Sequence, residues 1–418
     1  GRDGTPTTPG LAQFSYVFAF FYLVTLLFVF ISGFPNNISR FNYNFKNKIT
    51  LSMVLVLILS LIAVGTGTVY YTTQQFRQQQ KENISEKIKS VIVQLEDQLG
   101  SENTLTAKYA DHLPLYRLRK QFNRDRVDIS EATMVGWIAF ACVYLETLYQ
   151  RMLAKVPEAR IIQADETPLP VIEEGKSKAH RGYMFVNIVD KKYVIYDYRH
   201  GRGRSGPTEF LKGFSGVLQT DGYDGYNEAV AKYNLVHVAC MAHIRRKFFE
   251  ASEKGETVSD EALSLIQKLY RIEKDLADAG EEKTAEQRKE RSLPILEELQ
   301  AWCQSKKSQC LPKSPTGKAI GYFLEEYPKM ANYIYYPVAD IDNNLCERTI
   351  RPMTIGRKNY LFAGSDAAAR RSAVIYSLVL TCRMHGRDPY AYFYKVFETM
   401  EREPEIDLDL LLPDALPP

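Results

Sequence analysis

Residues 161–170 read IIQADETPLP. The apolar opening reads as a buried strand over Ile161–Asp165, and the run is predicted to stop at Asp165-Glu166-Thr167, with Pro168 behind it. A carboxylate at a strand end is either a turn residue or the start of an active site, and the surrounding sequence has to separate the two.

The chain beyond Pro170 is β-rich. Tyr183–Val189 alternates, Asp190-Lys191-Lys192 turns, and Tyr193–Tyr198 returns as a hairpin. Pro207–Gly213 is predicted as a short helix, GVLQTD (216–221) as a strand, Glu228–Lys232 as a helix and LVHVAC (235–240) as a strand. Strands mixed with helices in this way predict an α/β fold: a mixed sheet flanked by helices. From His243 to about Tyr335 the chain is charged and helical (EKDLADAGEEKTAEQRKERSLPILEELQ), and reads as an α-helical insertion over about 250–335.

Two more carboxylates join Asp165. Asp221 ends GVLQTD, with Gly222 behind it to let the backbone turn. Glu347 stands in DIDNNLCERTIRP, where Asp342 can cap a helix and Glu347 lies about one turn past Asn343 and Asn344. Strand ends such as Asp165 and Asp221 converge at one sheet edge. A lone Asp there is ordinarily a turn or a cap, and Glu347 with Arg351 four residues on is ordinarily a surface ion pair. Together the three carboxylates repel one another unless divalent cations neutralise them. Oxygen-only ligands select Mg²⁺ or Mn²⁺, and two such ions roughly 3.5–4 Å apart can clamp a phosphodiester.

The basic neighbourhood suits that chemistry. Arg348, Arg351, Arg357, Lys358, Arg370 and Arg371 follow Glu347, and Arg199, Arg202 and Arg204 follow the second hairpin strand. Such clusters fit phosphate contact. In CMAHIRRKF (240–248), Cys240 and His243 could form half a metal site, but no second half is visible. His243 reads either as a sheet-edge or phosphate-contacting residue, with Arg245, Arg246 and Lys247 beside it, or as a purely structural histidine.

The remainder is bounded more coarsely. The 418 residues allow two or three domains, and a net charge of +3 says little about partners. Six cysteines with no C-x-x-C pair exclude a zinc ribbon and argue against a disulfide scaffold. Residues 14–34 and 50–71 carry no charge, and each exceeds the roughly 18 apolar residues of a membrane-spanning helix. They predict a membrane segment over 1–104, with a juxtamembrane helix after the second span and flanking charges that leave its topology open. Residues 105–155 are helical. YRLRKQFNRDRVDISEATMVGWI (116–138) reads as helix, turn, helix with Ser130 as a cap, either a DNA-binding helix-turn-helix or an ordinary hairpin. The chain opens on Gly1-Arg2-Asp3 with no Met, as expected of a fragment or a processed product.

ADETPLPV, LQTDGYDGYNE, HVACMAHIRRKF, IDNNLCERTIRPMTIGRKNYLFAGS and YSLVLTCRMHGRDPYAYF, in that order, closely resemble the insertion sequence 66 family of bacterial transposases. The likeness runs from about Lys108 to about Met400. It implies an RNase H-like catalytic domain over 156–400, with 401–418 as a tail. It implies Asp165, Asp221 and Glu347 as a metal-binding DDE triad holding two Mg²⁺ or Mn²⁺ ions, and Cys240 and His243 as the cysteine-x-x-histidine signature. Double-stranded DNA as substrate, a homo-oligomeric active state, accessory proteins of the same element and a cytoplasmic place of work come with it. Upstream, the two apolar stretches resemble the start of a membrane-bound sensor kinase. The sequence therefore predicts a fusion near 100–107, with membrane localisation from 14–71. The alternatives are a membrane-anchored sensor fragment carrying a passenger domain, or a general RNase H-like nuclease.

Overall fold

The computed structural model describes residues 104–416 apart from 174 and 177, with positions 53, 54, 57, 65 and 67–79 before them. The chain divides into two compact units, 1–93 and 94–418. In the first, residues 67–79 are helical. The expected span 14–34 lies outside the described residues, as do most of 50–71 and the juxtamembrane stripe from Ile84 onward. Among the described residues one helix, Glu131–Glu158, is long and apolar enough to cross a membrane by length and composition. It belongs to the second unit and buries Leu145, Leu148 and Met152 in the core there.

The second unit is built on a five-stranded sheet in the order β3-β2-β1-β4-β5. β1 (Ile161–Val171), β2 (His180–Val189) and β3 (Tyr193–Arg199) form an antiparallel meander. The turn between β2 and β3 places Asp190 and Lys191 at φ 50° and 56°. That mirror-image turn matches the twist of the flanking strands. β4 (Val217–Gln219) and β5 (Val236–Val238) add in parallel on the other side of β1.

β1 does not stop at Asp165. Its pairing with β4 ends at Gln163↔Gln219, while its pairing with β2 runs on to Val171. Prolines are tolerated there because they face the unpaired side. The carbonyl of Pro170 accepts from Ala363 N at 2.9 Å, away from β2, and Pro168 shares that parity. Asp165 therefore lies two residues past the end of the parallel pairing, within a strand that continues.

Two cores flank the sheet, the first taking residues from both faces of β2 and β3, and the two divide the faces only at β1, β4 and β5. On one, Ile162 and Leu218 pack with four helices: α1 (Glu131–Leu153), α2 (Asn344–Tyr360), α3 (Asp366–Met384) and α4 (Pro389–Arg402). Their neighbours Ile161 and Val217 point the other way, with Val238, into a second core. That core is made with α5 (Met241–Glu253), α6 (Ser259–Asp275), α7 (Leu293–Lys307) and α8 (Pro315–Tyr335). The stretch read as an insertion is thus the second cover layer that short parallel strands require. Ahead of α1, the helix Leu115–Arg124 buries Leu118 and Phe122 against Met134, and Ser130 Oγ accepts from Thr133 N at 3.0 Å as the expected cap.

Candidate active site

Asp165 lies where β4 has ended and its own strand continues. Its Oδ1 accepts from the N–H of Glu166 at 2.7 Å. Burial pushes this carboxyl up to about 7, and the negative charge of Asp221, then of Glu166 and Glu347, adds to the effect. Asp221 lies two residues past β4, which ends at Gln219 rather than at Asp221 as expected. Its Oδ1 accepts from Tyr223 N at 3.0 Å, so the turn is made by the Asp side chain itself. Gly222 serves a different need from the one expected. A Cβ there would stand 2.7 Å from the hydroxyl of Tyr322 on α8, so a larger residue would displace that ring.

Glu347 sits in the first turn of α2, and that helix start is fastened to the sheet at several points. Gln163 and Gln219, both fully buried, join side chains at 2.9 Å. They reach Asp340 through Gln163 Nε2 to Oδ2, 3.1 Å, and Gln219 Nε2 to the carbonyl, 2.6 Å. Asn343 Nδ2 donates to the Ala164 carbonyl at 3.0 Å, and the Cys346 thiol lies 3.5 Å from the Val186 carbonyl. The helix cap is Asn343, one residue later than expected. Asp342 instead accepts from Asn344, Oδ1 from N at 3.0 Å and Oδ2 from Nδ2 at 2.7 Å.

Cys240 and His243 meet Glu347 from the start of α5. The three side chains offer donor atoms within 4.8 Å of one another, so the missing half of the Cys-x-x-His pair comes from α2. Burial pushes the Cys240 thiol up to about 12, and its sulfur accepts from Asn343 N at 3.2 Å. As a protonated thiol it fastens the cap of α2 rather than presenting a thiolate. His243 Nδ1 stands 3.6 Å and Arg246 Nη2 3.4 Å from the Glu347 carboxylate. Glu347 Oε1 and His243 Nδ1 are both shielded from solvent and make no hydrogen bond.

The expected DNA-contacting cations divide into two groups. Arg204, Arg245, Arg246, Arg348, Arg351 and Lys358 are exposed. Arg202, also exposed, and half-buried Arg357 are engaged by groups of the protein itself. Arg202 Nε donates to Glu166 Oε1 at 2.9 Å, and its guanidinium stacks 3.8 Å from the Tyr223 ring. Arg357 donates to the Thr167 hydroxyl at 3.1 Å and to the Pro168 carbonyl, bracing the continuation of β1. Glu166 is a site residue that the sequence pattern does not single out. Its side chain is 3% exposed, and Arg202 and Tyr226 hold it beside Asp165. Its adjacency to Asp165 in IIQADETPLP is the available signal, obscured because alternate strand residues are expected to face opposite ways.

Beyond the stop of β4 the mixed sheet thus carries Asp165 and Asp221, Glu347 approaches from the start of α2, and exposed arginine and lysine lie around them. Residues 101–371 match the family described as Transposase IS66 family, and residues 377–413 match the IS66 C-terminal element. The chain belongs to the IS66 family of transposases. It is similar to three proteins of Sinorhizobium fredii. Uncharacterized protein y4qI is 32% identical over 325 residues, which is 73% of this chain and 60% of y4qI. Uncharacterized protein y4hP is 28% identical over 331 residues, 73% of this chain and 60% of y4hP. Uncharacterized protein y4jD is 28% identical over 310 residues, 70% and 60%. The chain therefore spans about 60% of the length of the curated relatives it matches.

Proposed function

We propose that residues 156–400 are an RNase H-like catalytic domain that cleaves phosphodiesters at the ends of an insertion sequence and transfers the freed strand to target DNA. The observation that carries this reading is the place of the Asp165 carboxyl just past the end of β4, where burial first, and then the charge of Asp221, Glu166 and Glu347, raise it to about 7. A carboxylate held against like charge is poorly accommodated until a cation joins it. Asp165, Asp221 and Glu347 themselves offer only oxygens, with Cys240 and His243 beside Glu347, and Glu347 Oε1 is a shielded acceptor with no hydrogen bond. This set fits Mg²⁺ or Mn²⁺.

Asp165, Asp221 and Glu347 would hold the ions, which supply activation of the attacking oxygen and stabilisation of the leaving one. Glu166 and Arg202 fix the strand and loop around Asp165. Exposed Arg245, Arg246, Arg348, Arg351 and Lys358 would hold DNA phosphates across the mouth of the site. His243, beside Glu347, would orient that carboxylate. On sequence alone, residues 14–34 and 50–71 are proposed as membrane spans resembling the start of a sensor kinase, and resistance to extraction without detergent tests them separately.

The test is cleavage and joining of duplex DNA carrying the ends of the insertion sequence, in Mg²⁺ or Mn²⁺, by the full chain. Asp165→Asn, Asp221→Asn and Glu347→Gln are each expected to lower both steps by ~10²-fold or more. Undiminished activity in these variants rejects the reading.

A further inference from the structure

A second cluster of titratable groups lies at the far end of β1. Val171 pairs with His180 across β1 and β2. From Asp165 this corner is about 20 Å along the strand, at roughly 3.3 Å per residue. Ile172 N donates to the Ala363 carbonyl at 2.9 Å, which brings Asp366, at the start of α3, to the same corner. β3 ends at Arg199 and delivers His200.

The His180 and His200 rings stack there, with centroids 4.0 Å apart and 25° between planes. One carboxylate lies on each edge of the stack. Glu173 Oε1 is 3.0 Å from His180 Nδ1 and 3.7 Å from His200 Nε2. On the opposite edge, Asp366 Oδ1 is 3.5 Å from His180 Nε2, and its Oδ2 is 3.5 Å from His200 Nδ1. Tyr198 donates to Asp366 Oδ1 at 2.5 Å and stands 3.1 Å from His180 Nε2. Lys176 holds the other Glu173 oxygen.

Simple ion pairing accounts for this poorly. His180 Nδ1 is shielded from solvent and makes no hydrogen bond, although Glu173 Oε1 is close enough to accept one. The contact is near but misaligned. Two stacked imidazolium rings would also repel. A cation on the Glu173 edge resolves both features. Metal–donor bonds of ~2.0–2.2 Å place neighbouring donors roughly 3.0–3.6 Å apart, close to the separations found. The opposite edge then has the form of the outer shell of a histidine-ligated metal, where a partner of the second ring nitrogen fixes the tautomer: Tyr198, itself bonded to Asp366, stands at His180 Nε2, and Asp366 Oδ2 faces His200 Nδ1.

We propose that Glu173, His180 and His200 form a binding site for Zn²⁺ or a similar first-row transition ion, with Asp366 orienting both imidazoles. Two imidazoles and one carboxylate suit that class rather than Mg²⁺ or Ca²⁺. The site is independent of the Asp165 centre. An ion there ties the end of β1, the start of β2, the end of β3 and the start of α3 together. It also steadies the loop whose Arg202 holds Glu166.

The test uses the full chain, stripped with chelator and titrated with Zn²⁺ by calorimetry, with bound metal counted by mass spectrometry. The His200 side chain is 65% exposed, so His200→Ala is expected to fold, as circular dichroism checks. Wild type should bind one more equivalent of Zn²⁺ than His200→Ala, and Zn²⁺ should raise the melting temperature of the first and not the second. Asp366→Asn should keep the equivalent with affinity lowered by ~10–100-fold. His243→Ala should keep it unchanged, which separates this corner from the Cys240, His243 and Glu347 group. Equal Zn²⁺ stoichiometry in wild type and His200→Ala, or loss of the equivalent in His243→Ala instead, overturns the proposal.

Discussion

Asn343 Nδ2 donates to the Ala164 carbonyl at 3.0 Å, across 179 positions of sequence. β4 has ended at that level, so the carbonyl has no strand partner, and the cap of α2 supplies one. The same bond sets the start of α2 beside Asp165 and so fixes where Glu347 stands.

Asn343→Ala removes the bond and leaves a buried carbonyl unpaired. Urea denaturation should show a loss of about 1–3 kcal/mol. Metal-dependent cleavage should fall as well, because Glu347 loses its fixed position. Wild-type stability in this variant contradicts the role given to the cap.

The raised pKa of Asp165 makes metal-free stability depend on pH. The folded value is about 7 and the unfolded value 3.8. Between them the folded state binds the extra proton, so the contribution is full below 3.8 and is lost as pH rises through 7. Asp165→Asn should therefore melt higher than wild type at pH 8 without metal, by about 2–4 °C for each kcal/mol released. Mg²⁺ should raise wild type and leave the variant where it is. A common melting temperature at pH 8 would contradict the crowding of charge at this site.

In the helical cover layer, Arg288 is 4% exposed and paired with Glu273 at 2.6 Å. Its Nη1 also donates to the carbonyls of Tyr333 and Ala339 at 3.0 and 2.9 Å. Arg288→Met strands a buried carboxylate and should cost about 3–5 kcal/mol in denaturant unfolding. Adding Glu273→Leu should recover much of that loss. A double variant no better than the single one would place the cost in the two carbonyls.

Arg351 and Lys358 are exposed on α2, whereas Arg357 is turned into β1. Arg351→Ala and Lys358→Ala should each weaken duplex binding regardless of sequence. Each should reduce the slope of log K against log salt by about 1. Arg357→Ala should act on stability first, through Thr167 and Pro168. An unchanged salt slope for the first two variants removes α2 from the DNA-binding face.

Local features are legible in the sequence because they depend on near neighbours. The β2–β3 hairpin, the Ser130 cap and the apolar run that opens β1 follow from turn chemistry, capping and local hydrophobic pattern. The continuation of β1 past Pro168 is hidden, since a proline ends a strand only if its missing N–H faces a partner. Gly222 stands out in the sequence for its turn, whereas its constraint is a ring of α8 distant along the chain. Arg202 and Arg357 look like phosphate ligands, and charge alone cannot reveal that they also hold Glu166 and the Pro168 carbonyl.

The sequence by itself determined the class of this protein: alternating strands, capped helices, carboxylates at the ends of apolar runs, and the motifs of its family. Only the tertiary structure decided which of the 50 acidic residues stand together and which arginines remain free. It also decided that Glu173, His180, His200 and Asp366 share one corner. The physical reason is that local interactions set dihedral angles over a few residues. A charge is raised, paired or left open by groups that long loops bring beside it.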